Sequence, residues 1–192
     1  MLVSSPGCAL VLRYWTTPGS DWRGALCART GCTAGDPFSC ENLGYEYETG
    51  THVVQDRRRA VALYRQACDA DSALGCSNLG NALADGFDGP PDLPQAQALF
   101  RRACDLGEML GCSNLGWALW QGYDGPEDPE AALPLFQQAC AAGIGVGCGN
   151  LGDLHYDGIV VAQDHAEAAR LYALGCDGED GWSCLQVGLQ LR

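Results

Sequence analysis

The sequence predicts an all-α fold, a right-handed solenoid of stacked αα-hairpins with disulfide bonds between the helices. Two observations predict it: cysteines recur with a period of 36 residues, and the residues around them recur in the same register at helical spacing. Ten of the 12 cysteines form pairs with seven residues between their members. The pairs are Cys32/Cys40, Cys68/Cys76, Cys104/Cys112, Cys140/Cys148 and Cys176/Cys184. Helical hairpins of this length stack into a superhelix.

Several other positions keep the 36-residue register. An Asn-Leu-Gly triplet occurs in four repeats, and a Gly, an Asp, an Ala and a Leu-aromatic pair follow it at fixed distances. The triplets begin at Asn42, Asn78, Asn114 and Asn150. Because independent columns share one register, each repeat is expected to be one supersecondary unit that stacks on its neighbours.

Each repeat contains two predicted helices, helix A followed by helix B. In the second repeat, helix A runs over residues 73–85 and carries Leu79 and Leu83 on one face. Gly86 ends this helix, as a glycine in the left-handed conformation often does. Asp92 is placed to cap the N-terminus of helix B. A short turn containing glycine then leads to the next helix A.

The repeats define the predicted domain organisation. Residues 1–31 are expected to be a partial or degenerate N-terminal repeat, and residues 32–192 the solenoid. Its hairpins are expected at residues 37–72, 73–108, 109–144 and 145–180, with a terminal helix at 181–192. That last helix A has no helix B after it, which predicts self-association through this end or a frayed helix. The first residues are mildly apolar without a clear export signal.

Charge and cysteine content restrict the classes of partner and compartment. The chain has 24 acidic residues against 11 basic ones, all of them Arg, for a formal charge of −13. Nucleic acid and anionic membranes would be repelled by such a surface, and no apolar run has the roughly 18 residues of a membrane span. We therefore expect a neutral or basic protein or peptide partner. The cysteine content predicts a periplasmic or secreted protein in an oxidising compartment.

The cysteine pairs are predicted to be disulfides. The first member ends helix B and the second begins the next helix A, so the turn between them brings the two Cα atoms within bonding reach. Reduced buried thiols are one alternative, and zinc is the other, although zinc usually takes ligands with tighter spacing. Cys8 and Cys27 stand outside the register and are candidates for a sixth bridge.

The motif Asn-Leu-Gly, then Gly, Asp and Ala-x-x-Leu-Tyr-x-x-Ala-Cys, resembles Sel1-like repeats, which are similar to tetratricopeptide repeats. The cysteine pairs resemble those of a cysteine-rich subgroup that includes the Helicobacter cysteine-rich proteins and a mitochondrial intermembrane-space assembly factor. The resemblance covers residues 32–192 and implies the fold. It also implies two alternative functions: penicillin binding with weak β-lactamase activity, and assembly of redox or haem proteins.

The residues themselves favour a non-enzymatic protein. A serine β-lactamase needs a Ser-x-x-Lys motif, and this chain has no Lys. Its only histidines, His52, His155 and His165, do not form the cluster that a zinc enzyme needs. His155 occupies a helix A slot that is apolar or aromatic in other repeats, which favours packing over catalysis. No cofactor or metal is expected, and no Cys-x-x-Cys-His motif supports haem attachment.

We predict that helix A residues line a concave groove that binds protein or peptide. Helices A usually line the concave surface of such stacks. The candidate groove residues are Asn42, Tyr45, Asn78, Asn81, Asn114, Trp117, Trp120, Asn150, Asp153 and Tyr156. The Asn column suits a peptide backbone, with bracing of the preceding turn as the alternative. Trp117 and Trp120 are expected to face away from the core as anchors, with burial between repeats as the alternative.

Overall fold

The computed structural model describes the backbone of residues 22–190 and the side chains of residues 28–189. This part of the chain forms ten α-helices and contains no strand. The helices are α1 Trp22–Thr33, α2 Pro37–Thr49, α3 Arg57–Asp69, α4 Ala73–Ala84, α5 Leu93–Asp105, α6 Met109–Trp120, α7 Pro129–Ala141, α8 Gly145–Asp157, α9 His165–Asp177 and α10 Gly181–Gln190. Cys8 and the side chain of Cys27 lie outside the described residues, so their bridge stays a prediction. None of the described helices has the length and apolar character to cross a membrane.

The helices form two compact units, Met1–Pro91 and Asp92–Arg192. In the first unit, which holds α1 to α4, each helix packs on the next along the chain. The second unit holds α5 to α10 and has the same sequential packing. In it, α8 also contacts α6 and α10, so three successive helices A are neighbours. The fold class is therefore the predicted all-α solenoid of αα-hairpins.

Aspartate side chains cap the start of four helices B, α3, α5, α7 and α9, because each accepts a hydrogen bond from a backbone N–H of the first turn. Asp92 accepts from the N–H of Gln95 at 3.1 Å, as its position predicts. The equivalent caps are Asp56, Asp128 and Asp164. Gly86 adopts a φ of 69° just after α4, so the predicted helix stop is also confirmed. The helix ends one residue earlier than predicted, at Ala84.

In two successive repeats of the second unit, an aromatic ring of helix B packs directly on a glycine of helix A. A Cβ added to Gly152 would lie 2.8 Å from the ring of Tyr172, and one added to Gly116 would lie 2.7 Å from the ring of Phe136. Both rings are buried. The Gly of the Asn-Leu-Gly triplet thus supplies the space that lets helices A and B approach closely.

Five disulfides join each helix B to the following helix A. All five predicted pairings are present, with Cα–Cα distances of 4.4–4.5 Å. The bridges are Cys32–Cys40, Cys68–Cys76, Cys104–Cys112, Cys140–Cys148 and Cys176–Cys184. Closing so short a loop is expected to stabilise the fold by roughly 2–3 kcal/mol per bridge, because it restricts the unfolded chain. Bridges at this density indicate an oxidising environment.

All the helix A cysteines of these bridges except Cys184 are core residues, and their bonding corrects the alternatives considered for them from the sequence. Cys40, Cys112 and Cys148 are each at most 2% exposed, and each is bonded to the cysteine eight residues before it. The alternatives of a reduced thiol and a zinc ligand are therefore wrong for these three residues. A disulfide is apolar and compact, so it packs where helix A starts against the preceding helix B. Buried in this way, the three cysteines offer no atoms to a ligand and are structural residues.

Candidate binding groove

A groove of about 350 Å³ lies on the helix A side of the second unit. We call it the A-face groove and define it by the residues that line it, which are Trp117, Val146, Asn150, Asp153, Asp180 and Trp182. They come from α6, α8, α10 and the turn before α10. The groove exists because α8 packs against both α6 and α10, which brings side chains from three successive repeats together.

Helix α8 forms the floor of the groove through one face. Val146, Asn150 and Asp153 are separated by four and three residues, so they follow each other along that face. The opposite face carries Leu151 and Leu154, which are buried in a core cluster. The apolar core therefore fixes the helix phase, and that phase directs the polar residues into the groove.

Asp153 is held in place by two donors from neighbouring helices. The hydroxyl of Tyr172 donates to its Oδ1 at 2.7 Å, and the indole Nε1 of Trp182 donates to the same oxygen at 3.4 Å. No described residue donates a hydrogen bond to Oδ2. The two donors thus orient the carboxylate and leave one oxygen for a ligand.

Burial raises the pKa of Asp153 above the ordinary value of an aspartate. The hydrogen bonds from Tyr172 and Trp182 oppose this rise, while the nearby carboxylates of Asp157 and Asp180 add to it. An ionised Asp153 is therefore partly desolvated and lies near two more carboxylates, so a positive charge in the groove would stabilise it.

Asn150 is the most buried polar residue of the groove. The residue is only 9% exposed, yet its side-chain amide forms no hydrogen bond with any described residue. The amide atoms reach the open groove, since among the described residues the fully buried side-chain atoms without a partner belong to Glu46, Ser113 and His155. Because the groove is open at Asn150, a ligand can satisfy that amide.

The two tryptophans of α6 occupy different environments. Trp117 lines the groove and is 40% exposed. Trp120 contacts Trp117 edge-on, with ring centroids 5.7 Å apart, and packs against Phe136 at 6.1 Å. The expectation that both indoles face away from the core is therefore wrong for Trp120. Its position three residues further on turns the indole toward helix B, where it covers the core cluster.

The remaining predicted groove residues lie outside the A-face groove. In the first unit, the Asn42 amide donates to the Phe38 carbonyl at 3.0 Å, which is the bracing alternative for that residue. Tyr45 and Asn81 are exposed and Asn78 is half-buried. In the second unit, Asn114 is half-buried, and the exposed Tyr156 contacts the His165 ring at 4.9 Å.

Sequence reasoning missed an apolar column that lies four residues before the Asn column. Its members are Phe38, Leu74, Leu110, Val146 and Trp182. Four of them are between 40% and 53% exposed, which is unusual for large apolar side chains at the same position of successive repeats. A spacing of four residues places them on the helix A face of the Asn column, and that spacing is the signal that could have identified them.

The histidines form no common site. In the first unit, His52 lies in the loop after α2 with its Nδ1 2.6 Å from Oε1 of Glu46. In the second, His165 is exposed at the start of α9 and His155 is half-buried on α8. Among the described residues, no group of three or more His, Cys, Asp and Glu side chains could hold a metal ion.

Negative charge is concentrated in the second unit. Residues 92–192 contain 14 acidic residues and four Arg, a formal charge of −10 out of −13 for the whole chain. Of these Arg residues, Arg170 pairs with Glu167 at 2.6 Å, and no described Arg lines the A-face groove. The groove therefore presents carboxylates without a cation from the part of the chain that the structure describes.

Sequence and structure comparisons agree on the repeat type. The sequence model of the Sel1 repeat matches residues 37–72, 73–108, 110–144 and 146–180. No curated protein matches the chain. Sel1 repeats generally mediate protein interaction.

Three solved structures illustrate the fold. A protective antigen of uropathogenic Escherichia coli strains with an SLR fold has 24% identity and a TM-score of 0.76, over 86% of this chain and 36% of its own. A Sel1 repeat protein from Oxalobacter formigenes has 22% identity and a TM-score of 0.75, over 82% of this chain and 62% of its own. Helicobacter pylori cysteine rich protein B has 24% identity and a TM-score of 0.52, over 70% and 97%. This chain thus spans about a third of the first structure and less than two thirds of the second. With four matched repeats over most of its length, it belongs to the Sel1 repeat family.

Proposed function

We propose that this chain is a scaffold that binds a protein or peptide, and that the A-face groove is a principal contact surface. The observation that carries the proposal is Asn150, a mostly buried residue whose amide lines the groove without a partner among the described residues, between two exposed tryptophans. An extended peptide backbone offers both the donor and the acceptor that this amide lacks. Trp117 and Trp182 supply the large apolar area typical of interface hot spots.

The charge of the second unit sets the expected partner class. A groove with carboxylates and no described Arg in its lining favours a neutral or basic segment, because an acidic one would be repelled. The five disulfides support binding in an oxidising compartment, which we propose to be the periplasm or the extracellular space. No observation on the described residues favours β-lactam hydrolysis or assembly of haem proteins, and neither is proposed.

A selection from a random peptide library tests the groove. Peptides that bind the oxidised protein are selected, and each is then measured against Trp117→Ala and Asn150→Ala. We expect most selected peptides to lose about tenfold or more in affinity for Trp117→Ala, as a hot-spot truncation of about 2 kcal/mol predicts. The control is Leu106→Ala, which removes an exposed apolar side chain outside the groove.

Thermal unfolding of each variant shows whether it is folded at the temperature of the binding assay. If the selected peptides bind all three variants as tightly as the parent protein, the A-face groove is not the contact surface and the proposal is wrong.

A further inference from the structure

The A-face groove combines two indoles with two carboxylates. Trp117 and Trp182 are 40% and 53% exposed, so both rings are available to a ligand. Asp153 has Oδ2 without a donor among the described residues. Asp180 caps α10 through Oδ2, which accepts from the N–H and hydroxyl of Ser183, while no described residue donates to its Oδ1.

This combination is suited to a cation. An organic cation is attracted to the face of an indole ring, and the attraction strengthens when the site is partly desolvated. A cation would also offset the cost of ionising Asp153, whose pKa is raised by burial and by the carboxylates of Asp157 and Asp180. No described cation fulfils this role, since no described Arg lines the groove.

We propose that the A-face groove is a recognition pocket for an arginine side chain of the bound peptide. The guanidinium stacks on Trp117 or Trp182 and donates to Asp153, and the Asn150 amide holds the adjacent peptide backbone. This inference rests on the proposed function, because the arginine belongs to the peptide that the groove binds.

Arginine fits this groove better than lysine for three physical reasons. Its guanidinium is planar and stacks on aromatic faces. It presents several N–H donors in a fixed fork, so it can bond a carboxylate while stacked. It is also more weakly hydrated than an ammonium group, so it is more easily transferred into a partly apolar groove.

Capped tripeptides provide a direct test. The probes are acetyl-Gly-X-Gly-amide with X as arginine, lysine or citrulline, the last being a neutral isostere of arginine. Binding is followed by tryptophan fluorescence and by the NMR shifts of the indole N–H groups. We expect saturable binding of the arginine peptide, binding about tenfold weaker for citrulline, and an intermediate affinity for lysine.

Charge-neutralising variants locate the contact. Asp153→Asn keeps a side-chain oxygen for Tyr172 and Trp182 but removes the charge, and Asp180→Asn retains a good N-cap residue. Each should weaken binding of the arginine peptide about tenfold and leave citrulline unchanged. Asp105→Asn is the matched control, because it makes the same charge change on the exposed end of α5 outside the groove, and we expect less than about a twofold effect.

The results separate this inference from the proposed function. If arginine and citrulline peptides bind equally, or if Asp153→Asn and Asp180→Asn behave like Asp105→Asn, the arginine pocket is wrong. The library selection then tests the wider proposal. Selected peptides that lack a basic residue but still depend on Trp117 would support the scaffold function and contradict the arginine pocket. Selected peptides that depend on neither Trp117 nor Asn150 would contradict both.

Discussion

The hydroxyl of Tyr172 on α9 donates a 2.7 Å hydrogen bond to Oδ1 of Asp153 on α8, so the A-face groove and the hydrophobic core share one contact. The Tyr172 ring is buried against Gly152, and its hydroxyl reaches the groove floor. In the preceding repeat, Phe136 occupies the tyrosine position and Trp117 the aspartate position. The ring of helix B therefore carries a hydroxyl in the repeat where helix A supplies the acceptor Asp153. It lacks one in the repeat where helix A supplies the indole of Trp117.

This pairing predicts that removing the hydroxyl from Tyr172 and adding one to Phe136 both lower the stability of the fold. Tyr172→Phe removes a hydrogen bond to a carboxylate and should lower the free energy of unfolding by about 1.5–3 kcal/mol. Phe136→Tyr adds a hydroxyl to a fully buried ring beside Trp120 and should also destabilise, by about 1–3 kcal/mol, because the new group lacks an acceptor. Urea unfolding of both variants measures the two values. A Phe136→Tyr protein at least as stable as the parent would contradict the account.

The raised pKa of Asp153 predicts that its charge destabilises the folded state. Because the folded pKa lies above the unfolded value, the folded protein binds the proton more tightly, and stability is lost as pH rises through these values. Asp153→Asn mimics the protonated form, so it should be at least as stable as the parent at pH 7, with the difference disappearing below about pH 3.9. Thermal unfolding over this pH range is the measurement. A clear loss of stability at neutral pH would show that the charged hydrogen bonds dominate over burial.

Replacing each of the two tryptophans of α6 by Ala is expected to affect stability and binding differently. Trp120→Ala should cost about 2–4 kcal/mol of stability, since its indole covers the core at Phe136. Trp117→Ala should cost less stability and more affinity, because Trp117 is more exposed and lines the groove. Chemical denaturation measures the loss of stability of each variant, and peptide binding measures the loss of affinity of each. Equal losses of stability would mean that Trp117 is a packing residue as well.

The disulfides predict a cost that depends on burial as well as loop closure. Replacing Cys68 and Cys76 by Ala opens a bridge whose two residues are buried, whereas Cys176 and Cys184 form an equally short loop in which Cys184 is exposed. Both replacements should destabilise by roughly 2–3 kcal/mol through loop entropy, and the buried pair should cost more because it leaves a cavity. Denaturant unfolding compares them. Peptide mapping without reduction should show all five pairings, and bridges between different pairs would contradict the structure.

Local patterns explain the part of the structure that the sequence predicted. Asp92 as an N-cap, Gly86 as a helix stop and the Cys68–Cys76 bridge all connect residues close together in the chain. Their geometry follows from one helix end or one turn, so the spacing of the residue types is sufficient. The placement of Asn150 and Trp117 on helix A faces followed from the same periodicity.

The groove could not be predicted to the same depth. Trp182 was missed because its link to Asp153 depends on how α10 packs against α8, and the orientation of Trp120 depends on the aromatic ring of the next helix B. Sequence periodicity states which side of a helix a residue occupies, but it does not state which neighbouring side chains fill the space beside it.

By itself, the sequence determined the helical repeat, its 36-residue period, the cysteine pairing and the negative charge, since these depend on residue spacing and composition. Only the tertiary structure decided that Trp182 and Tyr172 converge on Asp153, that Asn150 has no described partner, and that Trp120 packs against the next helix B. The physical reason is that such contacts join different helices, and their crossing is set by the close packing of side chains such as the Tyr172 ring on Gly152.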